Sequence, residues 1–379
     1  MKQLVWFGCA LVAVAGCAVE DAAVATATDA SFAYSPMGFA RVTAAGAVVV
    51  ASTENSGPAP VAFNSSGGAV TPVRTGVGTY TVGFAGLAAP AGAGQGGNVQ
   101  VAAEGGSNVR CRVASWNSAG VSISVQCEQP SGALADSAFA VLFVRQPMPA
   151  VNSLPTSAAY AWIDPIGRAP LAYNYNSSGQ ANTAARIAGR TVVHVPGAIS
   201  GNASILVSTY AGAAICGVAS WGTALGGGVD ITVDCRTNTN AQVFSAFTVS
   251  YATSGPAPGQ QSAHTWFNGS SAEPGLTAAL GKVAGCSPTS VSVVPAGPVT
   301  NIIVDGDFGA WDGSAFLRVS FAPGYAIGSY CKVETLSVTR VVGVPRAITA
   351  IRCYDATGAV IAAPWFPFTH LTSDASGPC

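Results

Sequence analysis

The chain repeats itself, and each copy carries a pair of cysteines placed about a turn. Cys111-Arg-Val113-Ala-Ser-Trp116 returns as Cys216-Gly-Val218-Ala-Ser-Trp221, and Val121-Ser-Ile123-Ser-Val125-Gln-Cys127 returns as Val229-Asp-Ile231-Thr-Val233-Asp-Cys235. Upstream, Gly57-Pro-Ala-Pro-Val-Ala-Phe-Asn64-Ser-Ser-Gly67 reappears, with two residues inserted, as Gly167-Arg-Ala-Pro-Leu-Ala-Tyr-Asn-Tyr-Asn176-Ser-Ser-Gly179. Downstream, Phe139-Ala-Val141-Leu-Phe143 matches Phe247-Thr-Val249-Ser-Tyr251. A diverged third copy begins near His264-Thr-Trp266, passes through Cys331-Lys-Val333 and Arg352-Cys353, and ends at Phe366-Pro-Phe368. A period of roughly 105 to 115 residues is domain-sized, which predicts an array of independent domains over 46–150, 151–256 and 257–379 rather than a solenoid.

The cysteine spacings predict hairpins. Residues 111 and 127 are equidistant from 119, inside the turn-forming Asn117-Ser-Ala-Gly120. Gly226-Gly227-Gly228 lies near the midpoint of Cys216 and Cys235, and Gly343 near that of Cys331 and Cys353. Residues directly opposed in an antiparallel pair lie ~4.5 to 5.5 Å apart at Cα, within reach of a disulfide. Zinc is disfavoured, because the spacings are far from C-x₂₋₄-C and the chain has 3 histidines. Elimination then pairs Cys286 with Cys379.

The rest of the composition agrees with short strands. Glycine at 45 and proline at 23, with Val/Ile/Thr runs, favour strands joined by turns, and 49% hydrophobic residues are ample for real cores. Tyr80/Val82/Phe84, Val121/Ile123/Val125 and Val229/Ile231/Val233 alternate with polar residues, one face apolar and the other polar. The expected class is therefore all-β, a tandem array of three β-sandwich-like modules, with a small barrel as the alternative architecture. Sixteen Lys+Arg against 17 Asp+Glu leave no basic field for nucleic acid.

Lys2 followed by the apolar stretch Leu4 to Val14, too short to span a bilayer, reads as a signal peptide. Val14-Ala15-Gly16-Cys17 resembles the lipobox of bacterial lipoproteins. That resemblance implies removal of residues 1–16, acylation of Cys17, a membrane as partner through the lipid, and residues 17–45 as acylated N-terminus and tether. Ala18, where an aspartate would retain such a protein, implies onward transport to the outer membrane. An ordinary signal-peptidase site after Ala13-Val14-Ala15 is the alternative, leaving Cys17 as a thiol. Of 10 cysteines, Cys9 leaves with the signal peptide; acylation of Cys17 leaves an even set, which suits an oxidising compartment.

Candidates for chemistry are sparse. His194, His264 and His370 fall in different stretches of the repeats, and His194 reads as an exposed strand position. Asp305-Gly-Asp307-Phe-Gly-Ala-Trp311-Asp312 places carboxylates at positions 1, 3 and 8 of a calcium-type loop, but Ala310 and Phe316 depart from the EF-hand pattern. No other cofactor is expected. Trp116 and Trp221 follow a cysteine by five positions where the third copy has Leu336, which favours packing near the disulfide over sugar stacking. Trp311 and Trp365 occur in the third copy alone and are the candidate ligand-binding rings. The N-x-S sequences at Asn64, Asn176, Asn202 and Asn268 read as turns.

The block Ala-Tyr-Ala-Trp162, Asn176-Ser-Ser-Gly179, Cys216-x-Val-x-Ser-Trp221, Cys235 and Phe247-x-Val resembles a repeat in uncharacterised secreted bacterial proteins, which implies export and repetition and no activity. The expected function is that of a lipid-anchored protein of the bacterial envelope or surface. Its role is structural or adhesive rather than enzymatic, and its partner a surface glycan or another envelope protein. A glycan-binding or calcium-assisted adhesin acting through Trp311, Trp365, Asp305, Asp307 and Asp312 is the alternative, and a hydrolase the third reading.

Overall fold

The structure is a computed structural model. It describes residues 36–52, 58–87, 96–145, 157–200, 203–253, 261–268, 288–297, 299–306, 315–319, 329–341, 344–361 and 365–372, all within one compact unit that begins at Ser35.

The first repeat contains β1 (Met37–Val42), β2 (Val50–Ser52), β3 (Pro58–Pro60), β4 (Ala62–Asn64), β5 (Val70–Gly76), β6 (Thr79–Phe84), β7 (Asn98–Glu104), β8 (Arg110–Asn117), β9 (Ser122–Glu128) and β10 (Ala138–Val144). The second contains β11 (Ala158–Ile163), a 3₁₀ turn at Leu171–Tyr173, β12 (Asn174–Asn176), β13 (Thr183–Ile187), β14 (Arg190–Val195), β15 (Ala203–Thr209), β16 (Ile215–Thr223), β17 (Val229–Arg236) and β18 (Phe247–Thr253). The third contains β19 (Gln261–Asn268), β20 (Pro288–Ala296), β21 (Val299–Gly306), β22 (Ala315–Val319), β23 (Tyr330–Val341), β24 (Val344–Tyr354), β25 (Val360–Ile361) and β26 (Trp365–Thr372).

One plan recurs. Each repeat has an inner sheet, ordered β4-β1-β10-β7, β12-β11-β18-β15 or β19-β26-β22, and an outer hairpin sheet, ordered β5-β6-β9-β8, β13-β14-β17-β16 or β20-β21-β24-β23. None of these sheets closes into a barrel, so the barrel alternative is set aside; β7 of the first repeat and β23 of the third pair in parallel at Glu104 and Val333, which joins those two sheets into one of nine strands. In the first repeat Val99, Phe139 and Phe143 of the inner sheet meet Tyr80, Val82 and Ile123 of the outer one. In the second, Ile205, Phe247 and Val249 meet Val193, Val218 and Ile231. Outer strands show the expected period of two: Tyr80, Val82 and Phe84 are buried while Thr79, Thr81 and Gly83 between them are half-buried.

Inner strands break that alternation. Six of the 7 residues of β7 and six of the 7 of β15 are buried, because the repeats close on one another. Strand β7 packs on β11, β15 and β18 of the second repeat; β15 packs on β19 and β26 of the third; β22 packs on β1 and β10 of the first. The same edge strand thus meets the next repeat's inner sheet each time, and the third repeat returns to the first. The three repeats therefore pack in a cycle within one compact unit.

Two features of the sequence drive closure. One is a bulge: strand pairing slips between Val113 and Ser115, between Val218 and Ser220, and between Val333 and Thr335, the same place in every repeat. A bulge bends its strand and increases its twist. At the bends, Ala211 N–H donates to Val113 O at 2.8 Å and Gly105 N–H donates to Val333 O at 2.9 Å, the same head-to-tail bond at two junctions. The other is a buried polar layer. Asn98 and Gln100 of β7 have no exposed surface, and Ser208 and Thr248 are buried opposite them. Asn98 Nδ2 donates to Val249 O at 3.1 Å, Ser208 Oγ to Gln100 Oε1 at 3.0 Å, and Thr248 Oγ1 to Val99 O at 2.6 Å. Buried amides are tolerated where their partners are supplied, and such partners fix the register of the contact.

The three hairpin cysteine pairs form disulfides, Cys111–Cys127, Cys216–Cys235 and Cys331–Cys353, each between residues directly opposed in the ladder and each with Cα atoms 4.0 Å apart. The turn glycines Gly226, Gly227 and Gly228 all have φ between 86° and 98°, a region that admits glycine readily.

Candidate functional site

Where the three repeats meet, strands β8, β16 and β23 all begin. Their first residues, 110–112, 215–216 and 330–332, surround a pocket of about 90 Å³, with β7, β15 and Glu128 completing its wall. The first cysteine of every hairpin therefore lines the same cavity. Equivalent positions carry different chemistry there: Arg110, Ile215 and Tyr330 directly precede the cysteine of each hairpin, and Arg112, Gly217 and Lys332 directly follow it.

Glu128, 3% exposed, holds both arginines. Its Oε1 accepts from Arg110 Nη2 at 2.9 Å and its Oε2 lies 2.5 Å from Arg112 Nη1. Arg110 Nη2 also donates to Ala213 O at 3.0 Å, reaching the second repeat, and Arg112 Nη2 donates to Gln126 Oε1 at 3.0 Å. Both carboxylate oxygens are engaged, so Glu128 is a counter-ion rather than a free base. Arg110 Nη1 and Arg112 Nε are buried without a hydrogen-bond partner.

Lys332 is 1% exposed. It crosses from the third repeat to the first, where its Nζ donates to Val109 O at 3.1 Å and to Ser107 Oγ at 3.3 Å, and it lies 5.8 Å from the centre of the Tyr354 ring. Burial drives its pKa down to about 8, against the upward pull of Glu104 and Glu334. Those carboxylates have their own partners, Arg41 at 2.9 Å and Arg352 at 2.8 Å. Tyr330 donates its hydroxyl to Asn108 O, and burial pushes its phenol pKa upward.

None of these residues is singled out by the motifs of catalysis. A signal was nonetheless present: Arg112 and Lys332 both directly follow the first cysteine of a hairpin, in a chain with 16 Lys+Arg in all. What the repeats do not display is that those positions share one cavity.

The residues that the sequence does single out are placed as follows. Cys17, Cys286, Cys379, Asp307, Trp311 and Asp312 lie outside the described residues. Asp305, the last-but-one residue of β21, stands opposite Arg346, and Trp365 begins β26 opposite Asn268. His370 stands opposite Ala263 as Phe143 stands opposite Gly38 and Tyr251 opposite Ala159, which places it at their equivalent position. His194 Nδ1 pairs with Asp230 Oδ1 at 2.8 Å across β14 and β17, both partly exposed.

Trp116 packs on the core of its own repeat, which includes Cys127, and also reaches the second repeat. It meets Tyr173 and Tyr210 of the second repeat edge-on, at 5.2 and 5.3 Å, and Trp162 contacts the same two tyrosines at 5.7 and 5.4 Å. The four rings cover one another at the junction, and Trp116 Nε1 donates to Gly96 O at 2.8 Å.

The Asn-Ser-Ser-Gly motifs are turns with buried amides. Asn64 Nδ2 donates to Gly68 O at 2.9 Å and Ala85 O at 2.8 Å; Asn176 Nδ2 donates to Pro196 O at 2.9 Å while its Oδ1 accepts from Ser178 N at 2.9 Å. Each asparagine thus ties the end of the inner sheet's fourth strand to the outer sheet of its own repeat. Asn176→Ala is expected to lower stability by about 1–2 kcal/mol, since it leaves Pro196 O and Ser178 N–H without that partner; the midpoint of urea unfolding measures it.

Comparison with protein-family models, with characterised proteins and with solved structures finds no match to this chain.

Proposed function

We propose that this is an exported bacterial lipoprotein, anchored through Cys17, whose body is three sandwich-like modules that perform structural or adhesive work at the cell envelope. Three hairpin disulfides suggest an oxidising, extracytoplasmic environment, and the Val14-Ala15-Gly16-Cys17 sequence supports the anchor. The observation that carries the reading is ring closure. Each repeat is stapled to itself by a disulfide, and the first is held to the second and to the third through buried polar contacts. Such a body resists extension and unfolding where no chaperone network restores it. On this reading the third module completes the same two-sheet plan, and the partner is a surface glycan or another envelope protein.

The anchor is tested by fractionation and mass spectrometry. The wild type is expected in the outer-membrane fraction with acyl chains on Cys17, and Cys17→Ser in the soluble fraction, because two or more chains at ~0.8 kcal/mol per buried CH₂ anchor stably and none does not. An unmodified Cys17 thiol on the native protein sinks the proposal. The adhesive role is tested by adding the purified Cys17→Ser protein to isolated cell envelopes: saturable binding supports it, and its absence leaves the structural role alone.

A further inference from the structure

We propose that the junction pocket binds a small tetrahedral oxyanion, a sulfate or phosphate group held between Arg110, Arg112 and Lys332. The argument begins with charge. The pocket wall carries three cations, Arg110, Arg112 and Lys332, and one carboxylate, Glu128. The neighbouring carboxylates Glu104 and Glu334 are matched by Arg41 and Arg352, and Asp355, whose charge reaches Tyr330, is held by Thr357 and the Ala359 N–H, so a positive surplus survives the next layer of residues. Excess like charge in a site screened from water is costly, and an anion offsets it more strongly there than at an exposed surface.

Hydrogen-bond accounting gives the same answer. Arg110 Nη1 and Arg112 Nε are donors with no acceptor and no surface open to the pocket or to bulk water, so an anion in the pocket reaches them once the guanidinium groups turn toward it. Lys332 Nζ has three donors and two protein acceptors, Val109 O and Ser107 Oγ. The deficit is entirely one of acceptors. A sulfate or phosphate is an acceptor on every face, and guanidinium groups match its geometry. A pocket of about 90 Å³ is several times the ~10–15 Å³ of the same kind of volume that one water needs, so it has room for such a group. A larger molecule would enter by its terminal group.

The site is also rigid. Its three cationic side chains stand next to disulfide-bonded cysteines, Cys111 beside Arg110 and Arg112, and Cys331 beside Lys332. It exists only in the closed ring, because the cations come from the first and third repeats while β15 and Cys216 of the second complete the wall. Binding therefore couples to assembly of the three repeats.

Isothermal titration of the full chain in detergent, with sodium sulfate against sodium chloride at matched ionic strength, tests this. One saturable sulfate site per chain is expected, with Arg112→Gln weakening it about tenfold or more, some 1.4 kcal/mol per decade. Unmutated protein supplies an independent arm. Sulfate keeps its charge from pH 7 to 9.5 while Lys332 loses its own, amid the fixed charges of Arg110, Arg112, Glu128, Glu104, Glu334 and Asp355 and below the range of Tyr330 and Tyr354, so affinity should fall across that interval. Inorganic phosphate against glycerol phosphate decides whether the natural ligand is the free ion or the end of a larger molecule. Equal heats for sulfate and chloride would overturn the proposal, as would sulfate affinity unchanged by both pH and Arg112→Gln.

Discussion

Removing the Cys216–Cys235 disulfide, by Cys216→Ala with Cys235→Ala, is expected to lower the stability of the whole body by about 3 kcal/mol in a single transition. Reducing all three hairpin disulfides should cost about 9–10 kcal/mol. The closed segments span 16, 19 and 22 residues, and in the chain-entropy model a loop of that size constrains the unfolded chain by roughly 3 kcal/mol. Since a domain's entire stability is typically ~5–15 kcal/mol, the triple loss approaches the total. The form of the transition discriminates between architectures. Repeats arranged as independent beads would melt separately, the damaged one early and the others unchanged. In the ring, β7 and β15 have both faces covered, one of them by a neighbouring repeat, so the second repeat cannot unfold without exposing Asn98 and Gln100 of the first and their unpaired partners. Calorimetry of the double variant should show one shifted peak. A two-step melt with one step at the wild-type temperature would refute cooperative closure.

Most of the local structure was legible in the sequence. Cysteines equidistant from a turn have to face each other in a hairpin, and all three described pairs do. Outer-sheet strands announce themselves by alternation because one of their faces meets water. The inner strands mislead for the opposite reason. Asn98, Gln100, Ser208 and Thr248 are polar residues of inner strands, yet they are buried against each other. Polarity records that a side chain needs hydrogen bonds and does not record whether water or another repeat provides them. Trp116 is a packing residue as its position after the cysteine implies, but part of the surface it packs on, Tyr173 and Tyr210, belongs to a different repeat. The junction pocket was illegible for the same cause. Arg112 and Lys332 are 220 positions apart, and closure of the ring, which brings them together, is written in bulges and amides rather than in any motif.

Lys332 gives that closure a pH signature. Its ammonium is disfavoured in the folded state, with a pKa of about 8 against an ordinary value of 10.5. Stability rises with pH wherever the unfolded chain binds more protons. That condition holds between these two values, so the penalty from this group is largest below pH 8, on the order of 3 kcal/mol, and is relieved as pH climbs. Buried tyrosines act in the reverse sense at higher pH. Tyr251 is pushed up to about 12 and Tyr330 and Tyr354 also upward, so the unfolded chain releases phenolic protons near pH 10 that the folded one retains. Unfolding free energy should therefore gain about 2 kcal/mol from pH 7 to pH 9.5 and then decline. Lys332→Met removes the titrating group while keeping an unbranched apolar stem, at the cost of leaving Val109 O without its donor. The absolute stability of the variant thus mixes two effects, but its slope does not. Urea midpoints measured at pH 7, 8, 9 and 9.5 should climb for the wild type and stay flat for Lys332→Met. Parallel slopes would show that Lys332 titrates no differently in the folded and unfolded chain, and that the third repeat meets the first without burying its charge.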